Sequence, residues 1–313
     1  MSEQWNRRDL LRNMLAPASV AIAGYGRTGH KRPNILFAIA DDQSWPHAGA
    51  YGDRVARTPA FDRVAKEGVL FTHSFAASPS CTPSRSAVLM GRHVWQVEEA
   101  GVLYGTIDPK YPLFTHLLED AGYHTGFTGK GWGPGDWRAG GLKRHPNGKE
   151  YNRRLHEAAP RVGIDARDYA ANFEDFLHER KAGSPFCFWF GSTEPHRPYG
   201  QGAGVRIGKK LAEVSVPPFL PDAEVVRGDL LDYYSEIEWF DEQLARMIRI
   251  LEKSGELDNT LVVVTSDNGL PFPRAKTTLY DWGVRMPLAI RWGGRAAPFL
   301  PVRGTGVQKR TSG

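Results

Sequence analysis

Three short stretches of this chain are apolar almost from end to end and then stop abruptly at polar groups. Asn34 to Ala40 closes on Asp41-Asp42, and Leu261 to Thr265 closes on Ser266-Asp267-Asn268-Gly269. Phe186 to Gly191 runs into the loop Ser192-Thr193-Glu194-Pro195-His196-Arg197-Pro198. Such continuous runs suit strands buried on both faces, the situation in a mainly parallel sheet covered by helices. Ligands of such sheets gather outside the carboxyl ends of the strands. Carboxylates at that point are badly placed for a core and well placed for a metal ion. The expected fold class is therefore α/β, a mainly parallel central sheet flanked by helices. A chain of 313 residues suffices for one large domain, or one with a small second domain.

The remaining pattern fits that class. Thr58-Pro59 opens an amphipathic helix through Phe61, Val64 and Ala65 to Gly68, with proline in the first turn and glycine at the end. Val69 to Phe75 is expected to return as a strand. Leu113 to Ala121 and Asp168 to Arg180 have helical patterns, and His124 to Thr128 suits a short strand. Gly129-Lys130-Gly131-Trp132-Gly133-Pro134-Gly135 is too rich in glycine to be anything but a loop. Residues 136–165 and the stretch Gly200 to Pro221 are expected to be surface connections. Arg227 to Ser254 is the longest helix, with apolar residues at Leu230, Tyr234, Ile237, Phe240, Leu244, Met247, Ile248 and Leu251. That spacing gives one buried face, so the helix is expected to be scaffold.

The net charge of +5 is concentrated at the chain ends. Arg7, Arg8, Arg12, Arg27, Lys31 and Arg32 face only Glu3 and Asp9 in the first 32 residues, and Arg303, Lys309 and Arg310 lie in the last 13. The body between them is slightly acidic, which excludes a basic stripe for nucleic acid. Asn6-Arg7-Arg8-Asp9-Leu10-Leu11-Arg12, followed by a weakly apolar stretch from Met14 to Ala23, resembles a twin-arginine export signal. Residues 1–31 are expected to be signal and linker, and the protein to be periplasmic or extracellular. No run reaches the ~18 apolar residues a membrane span needs, so stable membrane insertion is not expected.

Two cysteines are present. Cys187 lies in Phe-Cys-Phe-Trp-Phe and is expected in the core. Cys81 lies in Ser80-Cys81-Thr82-Pro83-Ser84-Arg85, just before a run from Ser84 to Met90 that can form a helix. A thiol there feels the positive end of the helix dipole, and Arg85 shares its face one turn later. That combination suits a nucleophile handling an anion. Asp41, Asp42, Asp267 and Asn268 are all oxygen donors at strand ends, a set suited to calcium or magnesium and unsuited to zinc.

Cys81-x-Pro83-x-Arg85, followed by Ser86, Ala87, Leu89 and Gly91, resembles the signature of the type I sulfatases. The resemblance runs from about Arg32 to about Arg295, and it implies an alkaline-phosphatase-like sandwich. It further implies that a maturation enzyme oxidises Cys81 to formylglycine. Asp41, Asp42, Asp267, Asn268 and the modified Cys81 would ligate one calcium ion, magnesium being possible. Arg85 would hold the formylglycine hydrate, Lys130 would contact a sulfate oxygen, and His196 would serve the leaving group. The run Leu270 to Tyr280, Leu-Pro-Phe-Pro-Arg-Ala-Lys-Thr-Thr-Leu-Tyr, resembles the heparan N-sulfatase (sulfamidase) branch, in which Lys276 would be a cation in the substrate pocket. The implied substrate is N-sulfoglucosamine of heparan-type glycans. An O-sulfatase acting on another sulfated polysaccharide and an inactive fragment are the alternatives. Trp132 stands about where the family commonly has a second sulfate-binding histidine. Residues 32–295 are expected to form the catalytic domain. The glycine-rich, basic tail 296–313 is expected to be a truncated or frameshifted end, with the family's small C-terminal antiparallel domain largely absent.

Overall fold

The computed structural model describes residues 32–158 and 161–293. The twin-arginine stretch and the tail 296–313 lie outside the described residues. The strands are β1 (Asn34–Ala40), β2 (Val69–Leu70), β3 (Ser74–Phe75), β4 (His124–Gly129), β5 (Lys149–Glu150), β6 (Phe186–Gly191), β7 (Thr260–Ser266), β8 (Arg285–Met286) and β9 (Leu288–Trp292). Seven of them form one sheet in the order β2-β9-β7-β1-β6-β4-β5. β7, β1, β6, β4 and β5 run parallel, while β9 is antiparallel to both β7 and β2. The single strand expected over Val69 to Phe75 is instead two short ones, since β3 leaves the main sheet and pairs with β8.

The apolar runs fill both sides of the sheet. Phe186, Phe188 and Phe190 of β6 pack with Phe173 and Phe176 of the Tyr169–Glu179 helix and with Phe240 and Leu244 of the Glu224–Lys253 helix. Trp189 points to the opposite face, where Ile39, Leu89, Phe127 and Trp132 form a second core. Cys187 is buried and unpaired, as its neighbours imply. The long helix also caps another element. Asp241 accepts hydrogen bonds from the amides of Ala60 (2.9 Å) and Phe61 (2.8 Å), two of the unpaired donors that open the Pro59–Glu67 helix. The expected surface connection after Gly200 is partly internal, with Ala203, Gly204, Lys209 and Val214 buried.

Register aligns the carboxyl ends of four adjacent strands. Ala40 pairs with Ser266, Ile39 with Gly191, and Gly191 with Gly129. The chain crosses from one strand end to the next at close range: Asp267 N donates to Ala40 O (3.2 Å), Ser192 N to Ile39 O (3.1 Å), and Lys130 N to Gly191 O (2.6 Å). Glycine is required at this junction. A Cβ on Gly191 would lie 1.7 Å from the Lys130 carbonyl oxygen, and Gly129 has φ +74° with its absent Cβ 2.0 Å from Gly191 O. Among the described residues no helix is long and apolar enough to cross a membrane.

Candidate active site

The aligned strand ends bring Asp41 and Asp42, Asp267 and Asn268, Lys130, and the loop carrying His196 into one cluster. The Cys81–Met90 helix completes it from the side. This helix starts at Cys81 itself, because Pro83 falls in the first turn, where no intrahelical amide bond is lost. It ends at Gly91, whose left-handed φ of 61° lets its amide reach Ala87 O. Cys81 and Arg85, one turn apart, converge on the same atom: Cys81 Sγ is 3.4 Å and Arg85 Nη2 3.7 Å from Asp41 Oδ1.

Arg85 has no solvent exposure. Its Nε donates to Asp267 Oδ2 (2.8 Å), and its Nη1 donates to the carbonyls of Lys130 and Gly131, both at 2.9 Å. Lys130 Nζ holds Asp41 Oδ2 (2.5 Å). Lys276 Nζ lies 2.7 Å from Asp42 Oδ2 and 3.5 Å from Cys81 Sγ. Its loop is anchored by Lys276 N to Leu270 O (3.1 Å) and Thr277 N to Pro79 O (3.0 Å). His196 Nε2 is 3.8 Å from Asp42 Oδ2, while Nδ1 faces the Arg197 carbonyl at 2.6 Å. Every residue singled out for this site is thus in the cluster. Trp132 is buried beside it and donates through Nε1 to Ser86 Oγ (2.8 Å).

The charges compete. Burial opposes ionisation of Asp41, yet Lys130 and Arg85 hold its carboxyl well below the usual range. Asp42 is pushed up to about 7 by burial and by the neighbouring carboxylates of Asp41 and Asp267. Burial, with Asp41 alongside, also raises Asp267. The Cys81 thiol is pushed far above its ordinary value, by burial first and then by Asp267 and Asp41. The helix dipole is outweighed, so the unmodified thiol is not a ready nucleophile at neutral pH.

Three carboxylates crowded this closely fit a divalent cation. Asp41, Asp42, Cys81 and Asp267 each offer an atom within 4.8 Å of the others. Asn268 donates through Nδ2 to Asp42 Oδ1 (2.6 Å), and its buried Oδ1 has no hydrogen-bond partner among the described residues. Asp42 also takes a left-handed backbone conformation, φ 77°, which a non-glycine residue adopts only where its surroundings enforce it. Hard oxygen donors and an unpaired amide oxygen match calcium or magnesium.

The cluster lies in a cleft of about 980 Å³, whose lining also includes Asn152, Ile164, Asp165, Tyr199 and Glu236. Sequence reasoning missed Glu236, which sits on the helix expected to be scaffold. It is 2% exposed, and its Oε1 has no partner among the described residues. Burial, then Glu194 and Asp232, push it up to about 10 against a lowering by Arg197. The folded chain keeps this proton while the unfolded chain loses it near 4.5. The group therefore favours folding fully below that pH and costs stability as pH rises towards 10, by up to about 1.4 kcal/mol per unit. Glu236→Gln is expected to be more stable than the parent in urea at pH 8, with a smaller gain at pH 6. Equal gains at the two pH values would refute the assignment.

This fold, with polar groups converging where parallel strands end, defines an alkaline-phosphatase-like α/β protein. A sequence model of the Sulfatase family matches residues 33–312, and the chain belongs to that family. An ulvan-active sulfatase of Formosa agariphila is 28% identical over 265 residues, covering 84% of this chain and 49% of that protein. The human N-sulphoglucosamine sulphohydrolase is 28% identical over 294 residues, covering 83% and 56%. The chain therefore spans about half the length of these curated relatives, and their equal identity singles out neither. Among solved structures, the phosphonate monoester hydrolase of Agrobacterium radiobacter superposes with a TM-score of 0.67 at 18% identity, covering 85% of this chain and 70% of that one.

Proposed function

We propose that the chain hydrolyses sulfate from a sulfated sugar, the N-sulfate of glucosamine in heparan-type glycans. The observation that carries this reading is Cys81 at the start of its helix, clustered with Asp41, Asp42 and Asp267, with Asn268 on Asp42, Lys130 on Asp41 and Lys276 on Asp42. Residues 32–295 would be the catalytic domain. The N-sulfate assignment is supported by the Leu270 to Tyr280 run and by Lys276 at 3.5 Å from Cys81 Sγ.

Cys81, once oxidised by a maturation enzyme to formylglycine, would as its hydrate supply the attacking oxygen, and Asp41, Asp42, Asp267 and Asn268 would hold a calcium ion that would supply a Lewis acid. The chain's own residues do the rest. Lys130 and Lys276 are paired with Asp41 and Asp42, and with a divalent cation on those carboxylates both ammonium groups would be available to bind sulfate oxygens. Arg85 fixes Asp267 and the Lys130-Gly131 backbone. His196 Nε2 is positioned to give its proton to the departing nitrogen. Because Nδ1 faces the Arg197 carbonyl, a proton on Nε2 requires the imidazolium, and burial, by lowering the His196 pKa, makes that form a stronger acid but a scarcer one. The arginine pair near the N-terminus supports an exported enzyme.

The test is sulfate release from glucosamine N-sulfate and from N-acetylglucosamine 6-sulfate, in calcium, on protein whose Cys81 conversion is confirmed by mass. Release from the N-sulfate alone is expected. Release only from the O-sulfate would favour a second reading, an O-sulfatase of another glycan, consistent with the ulvan-active relative. Release from neither, despite full conversion, would overturn both.

A further inference from the structure

The cleft beside Cys81 has room for far more than a sulfate group. Two residues of its lining, Glu236 and Tyr199, each carry a buried polar atom, Oε1 and OH, with no hydrogen-bond partner among the described residues. Native structures rarely leave such atoms unpaired, and beside a binding cleft a bound ligand or an ordered water supplies the missing partner. The neighbourhood settles the ligand's charge. Glu194 and Asp232 lie close to Glu236, and the nearby cation, Arg197, is already engaged by Asp229 (3.0 Å) and by Pro271 O (2.9 Å). A second sulfate or a carboxylate would be repelled there. A neutral hydroxyl can donate to the Glu236 carboxyl and accept from the Tyr199 phenol.

Resting on the sulfatase reading, we propose that Glu236, with Tyr199, is a specificity-determining contact that binds an unsulfated hydroxyl of the sugar whose sulfate sits at Cys81. A site built to hydrogen-bond a hydroxyl discriminates strongly against ligands without one, because its buried groups are then left unpaired. The contact selects for the sugar and takes no part in the sulfur chemistry.

The test is calorimetric binding to full-length Cys81→Ala protein in calcium, which requires neither maturation nor turnover. The probes are glucosamine N-sulfate, and phenyl sulfate as a ligand without hydroxyls. Adding Glu236→Leu is expected to weaken sugar binding at least tenfold and change phenyl sulfate binding less than twofold. Tyr199→Phe, which removes one buried atom, is expected to weaken the sugar three- to tenfold with the same selectivity. Unchanged sugar affinity, an equal loss for both probes, or no sugar binding before the second substitution would each overturn the proposal. Sugar binding that needs Glu236, in a protein that once matured releases no sulfate, would leave this contact standing and remove the catalytic reading.

Discussion

Replacing Cys81 by alanine is expected to reduce sulfate release about 10⁴-fold or more while leaving the fold intact. Cys81 is 3% exposed and its sulfur makes polar contacts only within the cluster, so its loss removes the reacting position without breaking a long-range tie. Neighbouring hydroxyls cannot take over. Thr82 Oγ1 is bound to the Pro134 carbonyl, and Ser84 Oγ donates to Asp267 O at 2.5 Å. Cys81→Ser is expected to fail as completely under aerobic maturation, because oxidation to the aldehyde requires the thiol. Released sulfate by ion chromatography, alongside an unchanged thermal midpoint, is the measurement. Undiminished turnover in either variant would sink the mechanism.

Arg85→Met is expected to cost about 3–5 kcal/mol in urea unfolding and to abolish turnover. The substitution keeps much of the side-chain volume but removes the charge. Asp267 loses its 2.8 Å partner, Asp41 loses a neighbouring cation, and the Lys130 and Gly131 carbonyls each lose a donor. Asp41 and Asp267 would then remain buried beside one another with their most buried cation gone. Saturating calcium should narrow the stability deficit, because an ion bound by those carboxylates replaces part of the missing charge. A deficit below about 1 kcal/mol would show that Arg85 is not what holds the cluster together.

Much of this was legible in the residues themselves. β1, β6 and β7 are continuous apolar runs that stop at polar groups, and the sequence identifies both the strands and the points where chemistry collects. Cys81, Arg85 and Lys130 were visible at a helix start or in a glycine loop, whereas His196 and Lys276 stood out only through the family resemblance. Strand order was not legible, since nothing local in β4 or β7 says which neighbour each will take. The Val69 to Phe75 segment divides because β3 finds a partner in β8, more than 200 residues later in sequence. Glu236 was hidden for another reason. A glutamate beside Ile237 in an amphipathic helix has the pattern of a solvent-facing residue, and only the packing of that helix against the cleft buries it. The rise of the Cys81 pKa was not legible either, because it comes from burial and from Asp267 and Asp41, which only the fold brings beside the helix start.

The pairing of β1 with β7 also has a kinetic meaning. Asp42 and Asn268 touch across 226 positions of chain, and Lys276 follows later still. The cluster is therefore a high-contact-order feature, formed only after a large loop has closed. A chain emerging from the ribosome presents Cys81 long before β7 exists to help enclose it. The assembled site therefore reports that β7, β1, β6 and β4 have come together in register.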